Sequence, residues 1–525
     1  MPRPRVLRDR WAVPVALLAL LAASVATAGV ASAVPAERHA AAVALYVAPG
    51  AAPGGNGSAQ QPFATIDQAR QPAHRLSADS DVVVNLAGGT YRQSEPLAFG
   101  SDDGGQNGHT ISYQAGSGQQ PVVTGAQQVT GWRVQDQTNN IWSVHVGTGV
   151  NTRQLYVNGK EAPRAAIPVS RSDFAFTQTG LTITNSALNY LSGLSDQNHM
   201  EVESLNSFTD RYAPVQSISG SAITMRQPAW NNNSWGYDTI NAPFAGGTMY
   251  LENNYSFLRR AGQWYLNSST GDLYYRAQPG QNPGSLDIEL PRLQSLLGIS
   301  GSSGAPATGL RFTGIRFTGT SWLGPSGSNG YADQQSGAHI TGAYPMPADW
   351  LNSCKSGCPQ FEATRNHWAQ MPAAVQVSAA TGITFSGDTF SELGKAGLGV
   401  GNDGSATASG TGLGASGITI TGNTFTDDST FSGNWYNGGN TYVATGSPHN
   451  NVLTGNVQVS GTNWPQGAQL VIQQAGLQSD GSYAFQNQNS GLCLDVHGAG
   501  NNLGQQFDQW PCKNTAGTNQ DFTPR

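Results

Sequence analysis

A glycine-punctuated strand motif that occurs three times constrains this chain more than any other feature of its sequence. The pattern Gly-apolar-x-apolar-x-Gly-x-x-apolar begins at Gly309, Gly382 and Gly417. In each copy the alternation places two apolar residues on one face of a short strand, as with Ile383 and Phe385. Repeats in the same phase are typical of stacked coils, in which each coil covers the core of the next. The motif therefore predicts a parallel β-helix, with a β-sandwich as the alternative.

The composition agrees with a folded, β-rich chain. Only 11% of the 525 residues are charged, against roughly 25% in average domains. Surfaces made of uncharged polar residues suit strands and turns better than helices. A hydrophobic content of 38% with 9% aromatic residues is too apolar for a disordered chain. The net charge of −6 and the lack of a basic stripe argue against nucleic-acid binding.

The first 33 residues have the pattern of a secretory signal peptide. Four arginines between positions 3 and 10 precede an apolar run, and Ala31-Ser32-Ala33 offers a small-x-small cleavage site. A retained membrane anchor is the alternative interpretation. No later stretch reaches the roughly 18 apolar residues that a spanning helix needs. We therefore expect a secreted, extracellular protein without membrane contact after cleavage.

The predicted export bears on the chemical state of the four cysteines. Cys354 and Cys358 lie four positions apart, and Cys493 and Cys512 lie nineteen apart. In an oxidising compartment, two local disulfides are the default. A zinc site is the alternative, but no histidine pair accompanies either cysteine pair at ligand spacing. We expect disulfides, no metal and no cofactor.

The mature chain changes character along its length, which predicts four regions. The first holds an N-terminal cap, with a short helix that opens near Thr65, and the first coils. The second holds longer, more aromatic strands joined by Asn-Gly and Thr-Gly turns, which predict an inserted β-rich subdomain. The third returns to the coil motif and ends in a predicted closing helix from Pro465 to Gly476. These three regions and the C-terminal one span 34–125, 126–292, 293–478 and 479–525.

Several further segments resemble a known group. They are Leu45-Tyr-Val-Ala-Pro-Gly with Pro62-Phe-Ala-Thr-Ile, Leu155-Tyr-Val-Asn-Gly-Lys, Leu251-Glu-Asn, Gly262-Gln-Trp-Tyr-Leu-Asn, and Trp464-Pro-Gln-Gly-Ala-Gln. As a set they resemble the secreted bacterial β-helix proteins of the pectin-lyase-like superfamily, in particular its glycoside-hydrolase-like members. The resemblance implies an all-β chain folded as a right-handed parallel β-helix with an inserted β-rich subdomain. It also implies a polysaccharide as the partner.

Carboxylates that follow the repeat strands are the predicted catalytic residues. Hydrolysis of a glycosidic bond usually takes two carboxylates, one as acid and one as nucleophile or base. On a β-helix such a pair comes from neighbouring coils that face the same groove. The alternative is that these residues end turns, because the first of them occupies the repeat position that Asn423 occupies in the next copy. The candidates are Asp388, Glu392, Asp427 and Asp428.

The C-terminal segment resembles one repeat of a ricin-B-type lectin trefoil. The motif runs from Ser490-Gly-Leu-Cys-Leu-Asp through Gln509-Trp-Pro-Cys to Thr518-Asn-Gln-Asp-Phe. By position, the resemblance implies that Asp495 accepts sugar hydroxyls and that Trp510 supplies an aromatic wall. It further implies that Asn519 and Gln520 form the polar end of the site, and that Cys493 pairs with Cys512. The sequence departs from the pattern at Phe522, where the family has tryptophan, and it holds a single repeat of the usual three.

These observations lead to one function and two alternatives. The favoured hypothesis is a glycoside-hydrolase-like protein that acts on or binds extracellular polysaccharide. The first alternative is a non-catalytic carbohydrate-binding protein on the same scaffold. The least favoured is a polysaccharide lyase, since no acidic cluster dense enough for a calcium site is present in the sequence.

Overall fold

The structure is a computed structural model. It describes residues 41–302, 304–332, 338–400, 415–416, 418–426, 441–443, 452–454, 457–459, 472–477, 483–487, 493–496 and 507–510. The described chain is mostly β, with parallel sheets in one part and antiparallel sheets in another. The predicted signal segment lies outside the described residues.

Four sheets of the described chain contain only parallel strand pairs, and three of them take their strands from both sides of residues 126–292. Sheet I has the strands Val43–Val47, Val82–Leu86, Ile111–Ala115, Leu310–Thr313, Thr384–Ser386, Thr419–Thr421 and Val452–Thr454. Sheet II has Gly89–Arg92, Pro121–Thr124, Arg316–Thr318, Thr389–Phe390, Thr424–Thr426 and Val457–Val459. Sheet III has Leu97–Phe99, Leu297–Ser300, Ala373–Ser378, Ala396–Val400 and Thr441–Val443. A short parallel sheet joins Ala307–Thr308, Ala380–Thr381 and Ala415–Ser416.

The repeated motif accounts for the register of these sheets. Its strand residues pair in phase, so that the ring of Phe312 stacks on Phe385 with centroids 5.2 Å apart. In sheet II the ring of Phe317 stacks on Phe390 at 5.3 Å. All four rings are buried in one core that the parallel sheets share. The prediction that the apolar residues of the motif point into a common core is therefore confirmed for these copies.

The second glycine of the motif makes the same turn in each copy. Gly314, Gly387 and Gly422 have φ angles of 71°, 65° and 63°. This left-handed region is open to glycine and costly for a residue with a Cβ atom. The predicted turn between two strands of each repeat is present at these positions.

Helices are few and short among the described residues. The longest is Ile66–Leu76, which begins near Thr65 as the sequence predicted. Thr65 caps it by accepting a hydrogen bond from the amide of Gln68. No helix in this part of the chain has the length and apolar character that crossing a membrane requires. The other α-helices are Ala229–Ser234, Trp350–Ser353 and Pro359–Glu362. The 3₁₀ turns are Ser101–Asp103, Arg171–Asp173, Ser186–Gly193, Gln197–His199, Tyr255–Phe257, Pro283–Ser285, Gly324–Ser326 and Arg365–His367.

The strands between residues 126 and 292 pair in antiparallel sheets. The largest of them, here called the pocket sheet, has the strands Ala166–Val169, Thr248–Glu252, Glu201–Leu205, Asp210–Ser219, Ala222–Met225, Gly180–Ile183 and Phe174–Thr177, with Tyr331–Ala332 beside the fourth. A second sheet has Lys160–Glu161, Tyr156–Val157, Ile288–Pro291 and Ala126–Gln128. A third has Trp264–Asn267, Asp272–Arg276, Ile141–His145 and Arg133–Asp136, and Ala338–His339 pairs with Ala369–Gln370.

The predicted closing helix is wrong in its last part. Ile472–Leu477 is a strand that pairs antiparallel with Tyr483–Asn487, across the predicted boundary between 478 and 479. Helix propensity is a weak preference that sheet pairing overrides, and the β-branched Ile472 suits a strand. The strands Cys493–Val496 and Phe507–Trp510 complete this C-terminal sheet. Residues 464–471 lie outside the described residues.

One predicted disulfide is present. Cys354 and Cys358 are bonded, with their Cα atoms 5.2 Å apart. The bond closes the short loop between Trp350–Ser353 and Pro359–Glu362. Cys512 lies outside the described residues, so its bond to Cys493 stays a prediction.

Candidate functional site

Strand alternation in the pocket sheet separates an apolar face from a charged one. Val202, Met249 and Leu251 point into the core of this subdomain. Glu201 and Glu203, one residue to either side of Val202, lie on the opposite face. The charged face is where two neighbouring strands bring their glutamates together.

The sheet register makes two of these glutamates diagonal neighbours. Glu203 lies opposite Tyr250, and Glu252 lies opposite Glu201 on the same pair of strands. Diagonal neighbours on one face of a sheet are within reach of long side chains. Accordingly, the carboxyl groups of Glu203 and Glu252 lie close enough to interact electrostatically.

A pocket of about 160 Å³ opens over this pair. Its floor comes from the pocket sheet, and further residues come from the segment before the sheet. We call it the glutamate pocket. Its principal charged and aromatic side chains are Arg153, Arg164, Glu203, Tyr212, Tyr250 and Glu252.

Two arginines of the pocket form ion pairs with the glutamates of the pocket sheet. Arg153, which is buried, pairs with the Oε2 atom of Glu201, and Arg164 lies 3.2 Å from the Oε1 atom of the same residue. Arg164 also pairs with Glu252 at 3.2 Å. The hydroxyl of Ser326, on the turn after a sheet II strand, donates to Glu201 at 2.5 Å. Burial disfavours a charged Glu201, but the two arginines outweigh it and hold the pKa of Glu201 well below its usual range.

Glu203 has the opposite electrostatic environment. Burial, together with the nearby carboxyl groups of Glu252 and Asp210, raises the pKa of Glu203 well above its usual range. The hydroxyl of Tyr212 donates to Glu203 at 2.6 Å and works against this shift. A protonated carboxylic acid beside an arginine-paired carboxyl group is the arrangement that acid-base chemistry uses.

The predicted candidate Asp388 follows Gly387 in the turn between a sheet I strand and a sheet II strand. It is 1% exposed, and its Oδ1 atom accepts from the amide of Ile315 at 2.8 Å. Its own amide donates to the side chain of Asn423 at 2.7 Å. Burial raises the pKa of Asp388 to about 7. These contacts support the turn interpretation of this carboxyl group over the catalytic one.

Glu392 is also engaged in the scaffold. Its side chain pairs with Arg316 at 2.9 Å and accepts from the hydroxyl of Thr318 at 2.7 Å. Its carbonyl accepts from the amide of Gly319, and its φ of 53° is left-handed. The structure therefore does not bring Asp388 and Glu392 together in one open site.

The remaining predicted residues are partly outside the described chain. Asp427, Asp428, Asn519 and Gln520 lie outside the described residues, so their predicted roles stay predictions. In the C-terminal sheet, Asp495 pairs with Asp508, two residues before Trp510 on the neighbouring strand. The backbone thus places these two predicted sugar-binding residues on adjacent strands.

Sequence reasoning missed the glutamate pocket, although a local signal exists. Glu201-Val-Glu203 alternates acid with apolar residue inside a strand. Such alternation indicates a strand whose outer face is acidic. What the sequence does not show is that this strand pairs with Thr248–Glu252, more than forty residues away.

The C-terminal residues match a known family. Residues 450–525 match the family model described as "Ricin-type beta-trefoil lectin domain-like". The match begins before position 479, where the sequence predicted that the lectin region starts. It agrees with the resemblance read from the motif around Asp495.

Comparison with solved structures identifies a similar fold for most of the chain. A structure titled "Glycoside hydrolase" superposes with a TM-score of 0.59 at 21% identity, covering 76% of this chain and 69% of that one. The structure "The complex structure of XylC with xylose" has a TM-score of 0.34 at 12% identity and covers 73% of this chain and 50% of that one. No curated protein matches the chain. The chain thus combines a fold similar to that of a glycoside hydrolase with a C-terminal segment similar to ricin-type lectin domains.

Proposed function

We propose that this chain is a secreted, glycoside-hydrolase-like protein that acts on extracellular polysaccharide in the glutamate pocket. The observation that supports it most is that Glu203 and Glu252, diagonal neighbours on one face of the pocket sheet, both line an open pocket. The fold similarity to a glycoside hydrolase and the lectin match at the C-terminus support a carbohydrate substrate.

The scaffold that we propose is a right-handed parallel β-helix. Its support is the in-phase parallel pairing of sheets I, II and III, with a glycine turn between the strands of each repeat. Right-handed connection is the strong preference for parallel strands joined by crossovers. In this proposal residues 126–292 are an insertion that contributes the pocket sheet, and residues 1–33 direct export.

The proposed mechanism assigns different roles to the two glutamates. Glu203, held protonated at neutral pH, donates its proton to the glycosidic oxygen as the bond to the leaving sugar breaks. Glu252, paired with Arg164, then either attacks the anomeric carbon or removes a proton from the attacking water. Arg153 and Arg164, fixed by Glu201, keep the negative charge of the site balanced.

The test compares full-length protein with Glu203→Gln and Glu252→Gln on a panel of plant and bacterial polysaccharides. We expect each variant to release reducing ends at least about 100-fold more slowly, since each loses an acid-base group. Glu95→Gln, which changes an exposed glutamate in a loop before sheet III, is the matched control. Thermal unfolding of each variant checks that the fold is intact.

Two outcomes would move the site elsewhere. Wild-type rates in both pocket variants would reject the glutamate pocket. Loss of activity in Asp427→Asn or Asp428→Asn alone would favour the carboxylates that follow the third repeat. In either case the hydrolase proposal would stand on a different site.

A non-catalytic carbohydrate-binding protein is the second candidate. The specific observation in its favour is the lectin match over residues 450–525, with Asp495, Trp510, Asn519 and Gln520 as the proposed sugar-binding residues. Retention by a polysaccharide without any release of reducing ends would favour this candidate over the hydrolase.

A further inference from the structure

Lys395 is a buried lysine that the proposed glycoside hydrolysis does not use. It is 4% exposed, and its amine forms no ion pair with any residue that the structure describes. Because no counter-ion opposes the effect of burial, the pKa of Lys395 falls to about 8. A large share of this amine is therefore neutral near pH 8, where an ordinary lysine is charged.

The amine of Lys395 contacts a hydroxyl instead of a carboxylate. Its Nζ atom lies 3.0 Å from the Oγ atom of Ser295. Ser295 comes two residues before the sheet III strand Leu297–Ser300, and Lys395 directly precedes the sheet III strand Ala396–Val400. The strand Ala373–Ser378 lies between these two. Because all three strands are parallel, their first residues lie at the same end of the sheet, and the long stem of Lys395 reaches across the end of the middle strand.

The surroundings of Ser295 suit a nucleophile. Ser295 is partly exposed while Lys395 is buried, so a reactant can approach the hydroxyl from solvent and the amine stays shielded. The amide of Ser295 makes no hydrogen bond within the described chain, whereas the next amide, that of Leu296, donates to the carbonyl of Ala374 at 2.8 Å. The amide of a serine nucleophile is a common donor of an oxyanion hole. Ser295 thus has both the hydroxyl and the amide that acyl transfer uses.

The charged groups near the pair leave the amine without a counter-ion. Glu392, three residues before Lys395, is paired with Arg316 at 2.9 Å. Glu95, in the loop before the neighbouring strand of sheet III, is exposed. Neither carboxyl group contributes to the pKa shift of Lys395, which burial alone causes. A desolvated lysine of this kind is a general base, because its neutral form accepts a proton.

We propose that Ser295 and Lys395 form a catalytic dyad that hydrolyses carboxylic esters, with the hydroxyl as nucleophile and the amine as general base. Pairing of a serine nucleophile with a lysine base is one of the recurring variants of the catalytic triad. Neither residue lines the glutamate pocket. The inference therefore goes beyond the proposed glycoside hydrolysis and stands or falls independently of it.

The reaction needs only the ester and water. The neutral amine of Lys395 takes the hydroxyl proton of Ser295 as the Oγ atom bonds to the carbonyl carbon, and the electron pair of the C=O bond moves onto its oxygen. When that pair re-forms the double bond, the bond to the alcohol oxygen breaks, and the leaving alkoxide takes the proton from Lys395. A water molecule, deprotonated by the same amine, then attacks the acyl-serine. One ester and one water yield one carboxylic acid and one alcohol, and both side chains return to their starting forms.

The first experiment uses the full-length wild-type protein and a fluorophosphonate probe, which reacts with activated serine hydroxyls. Peptide mass spectrometry locates the label. We expect it at Ser295, at a rate that rises with pH through about 8, because only the neutral amine of Lys395 accepts the proton. The inference fails if folded protein carries no label at Ser295 at pH 9, or if the labelling rate there is the same at pH 6 and pH 9.

Variants separate a base from a structural contact. Lys395→Arg keeps a donor toward Ser295 but cannot accept a proton. We expect this variant to lose at least about 100-fold in both labelling and hydrolysis of 4-nitrophenyl acetate, and Ser295→Ala to lose both. Ser300→Ala, which changes an exposed serine at the end of the strand that follows Ser295, is the matched control and should keep both.

Thermal unfolding shows whether each variant is folded. A folded Lys395→Arg that labels at the wild-type rate would give the lysine a purely structural role and overturn the inference. If Lys395→Arg does not fold, the pH dependence of labelling in wild type decides, since it requires no substitution.

Discussion

Two glutamates on one face of one strand differ in charge state because their neighbours differ. Burial disfavours the charged form of both Glu201 and Glu203. Glu201 lies between Arg153 and Arg164, which reverse the effect and lower its pKa. The nearby carboxyl groups of Glu252 and Asp210 add to the effect of burial and raise the pKa of Glu203 further. At the scale of the residue, the position of two arginines decides which glutamate is an acid.

The Tyr212→Phe variant tests this account of Glu203. The hydroxyl of Tyr212 donates to Glu203 and lowers its pKa, because the bond favours the charged carboxylate. Without that bond the pKa of Glu203 rises further, so the acid stays protonated to higher pH. We expect the alkaline limb of the kcat/KM profile to move to higher pH, measured on a short substrate.

The control for this prediction is Tyr113→Phe. Tyr113 is a buried tyrosine of sheet I whose hydroxyl has no hydrogen-bond partner within the described chain. Removing that hydroxyl should leave the pH profile in place. An alkaline limb that stays fixed or moves to lower pH in Tyr212→Phe would contradict the role assigned to Glu203.

Among the elements, the turns between the strands of sheet I and sheet II show how one repeat supports the next. The side chain of Asn423 accepts from the amide of Asp388 and donates to the carbonyl of Phe385. One repeat earlier, Asp388 accepts from the amide of Ile315 in the same way. Its Oδ2 atom, however, is buried with no hydrogen-bond partner among the described residues. Asp388 thus has a carboxyl group at the position where the next repeat has the side-chain amide of Asn423.

Asp388→Asn should therefore stabilise the protein. In register, the new amide faces the carbonyl of Phe312, as Asn423 faces that of Phe385. A hydrogen bond to a buried polar atom that has no partner is worth about 1–3 kcal/mol. We therefore expect Asp388→Asn to raise the free energy of unfolding by that amount at pH 8. Denaturant unfolding measures the difference.

The gain should depend on pH with a definite sign. The folded pKa of Asp388 is about 7, above the unfolded value of about 3.9. The contribution of the Asp388 carboxyl group to the free energy of unfolding is therefore complete at low pH, and it is lost as pH rises from about 4 to about 7. The advantage of Asp388→Asn should grow over that window. Asn423→Asp is the reverse control and should destabilise more at pH 8 than at pH 4; a gain that shrinks as pH rises would contradict the assignment.

How far the sequence predicts these elements depends on whether the information is local. Spacing within one motif predicts its strands, the burial of Phe385 and Phe390, and the turn at Gly387. All of these features are present in the structure. The glutamate pocket does not follow, because Glu203 and Glu252 meet only through sheet pairing between distant strands. The predicted closing helix fails for the same reason, since the partner of Ile472–Leu477 is another strand.

At the scale of the whole molecule, the chain has two separate regions with chemistry suited to sugars. One is the glutamate pocket on the antiparallel pocket sheet, and the other is the C-terminal segment that matches ricin-type lectin domains. The proposed function assigns catalysis to the pocket and retention on a polymer to the C-terminal segment, as independent properties. In that proposal, the effective substrate concentration rises when both regions engage one polysaccharide.

Independence of the two regions leads to a prediction for the double variant Asp495→Ala, Trp510→Ala. Loss of a carboxylate acceptor and an aromatic wall should weaken retention by the polysaccharide about 10-fold to 100-fold, because a hydrogen bond to a charged group is worth about 1.5–3 kcal/mol. Affinity electrophoresis measures the retention, and release of reducing ends from the disaccharide reports on the pocket. Asp508→Ala, at the position paired with Asp495 on the next strand, is the matched control. Equal loss of retention in that control, or a parallel loss of disaccharide hydrolysis in the double variant, would show that the C-terminal sheet supports folding of the whole chain and not sugar binding.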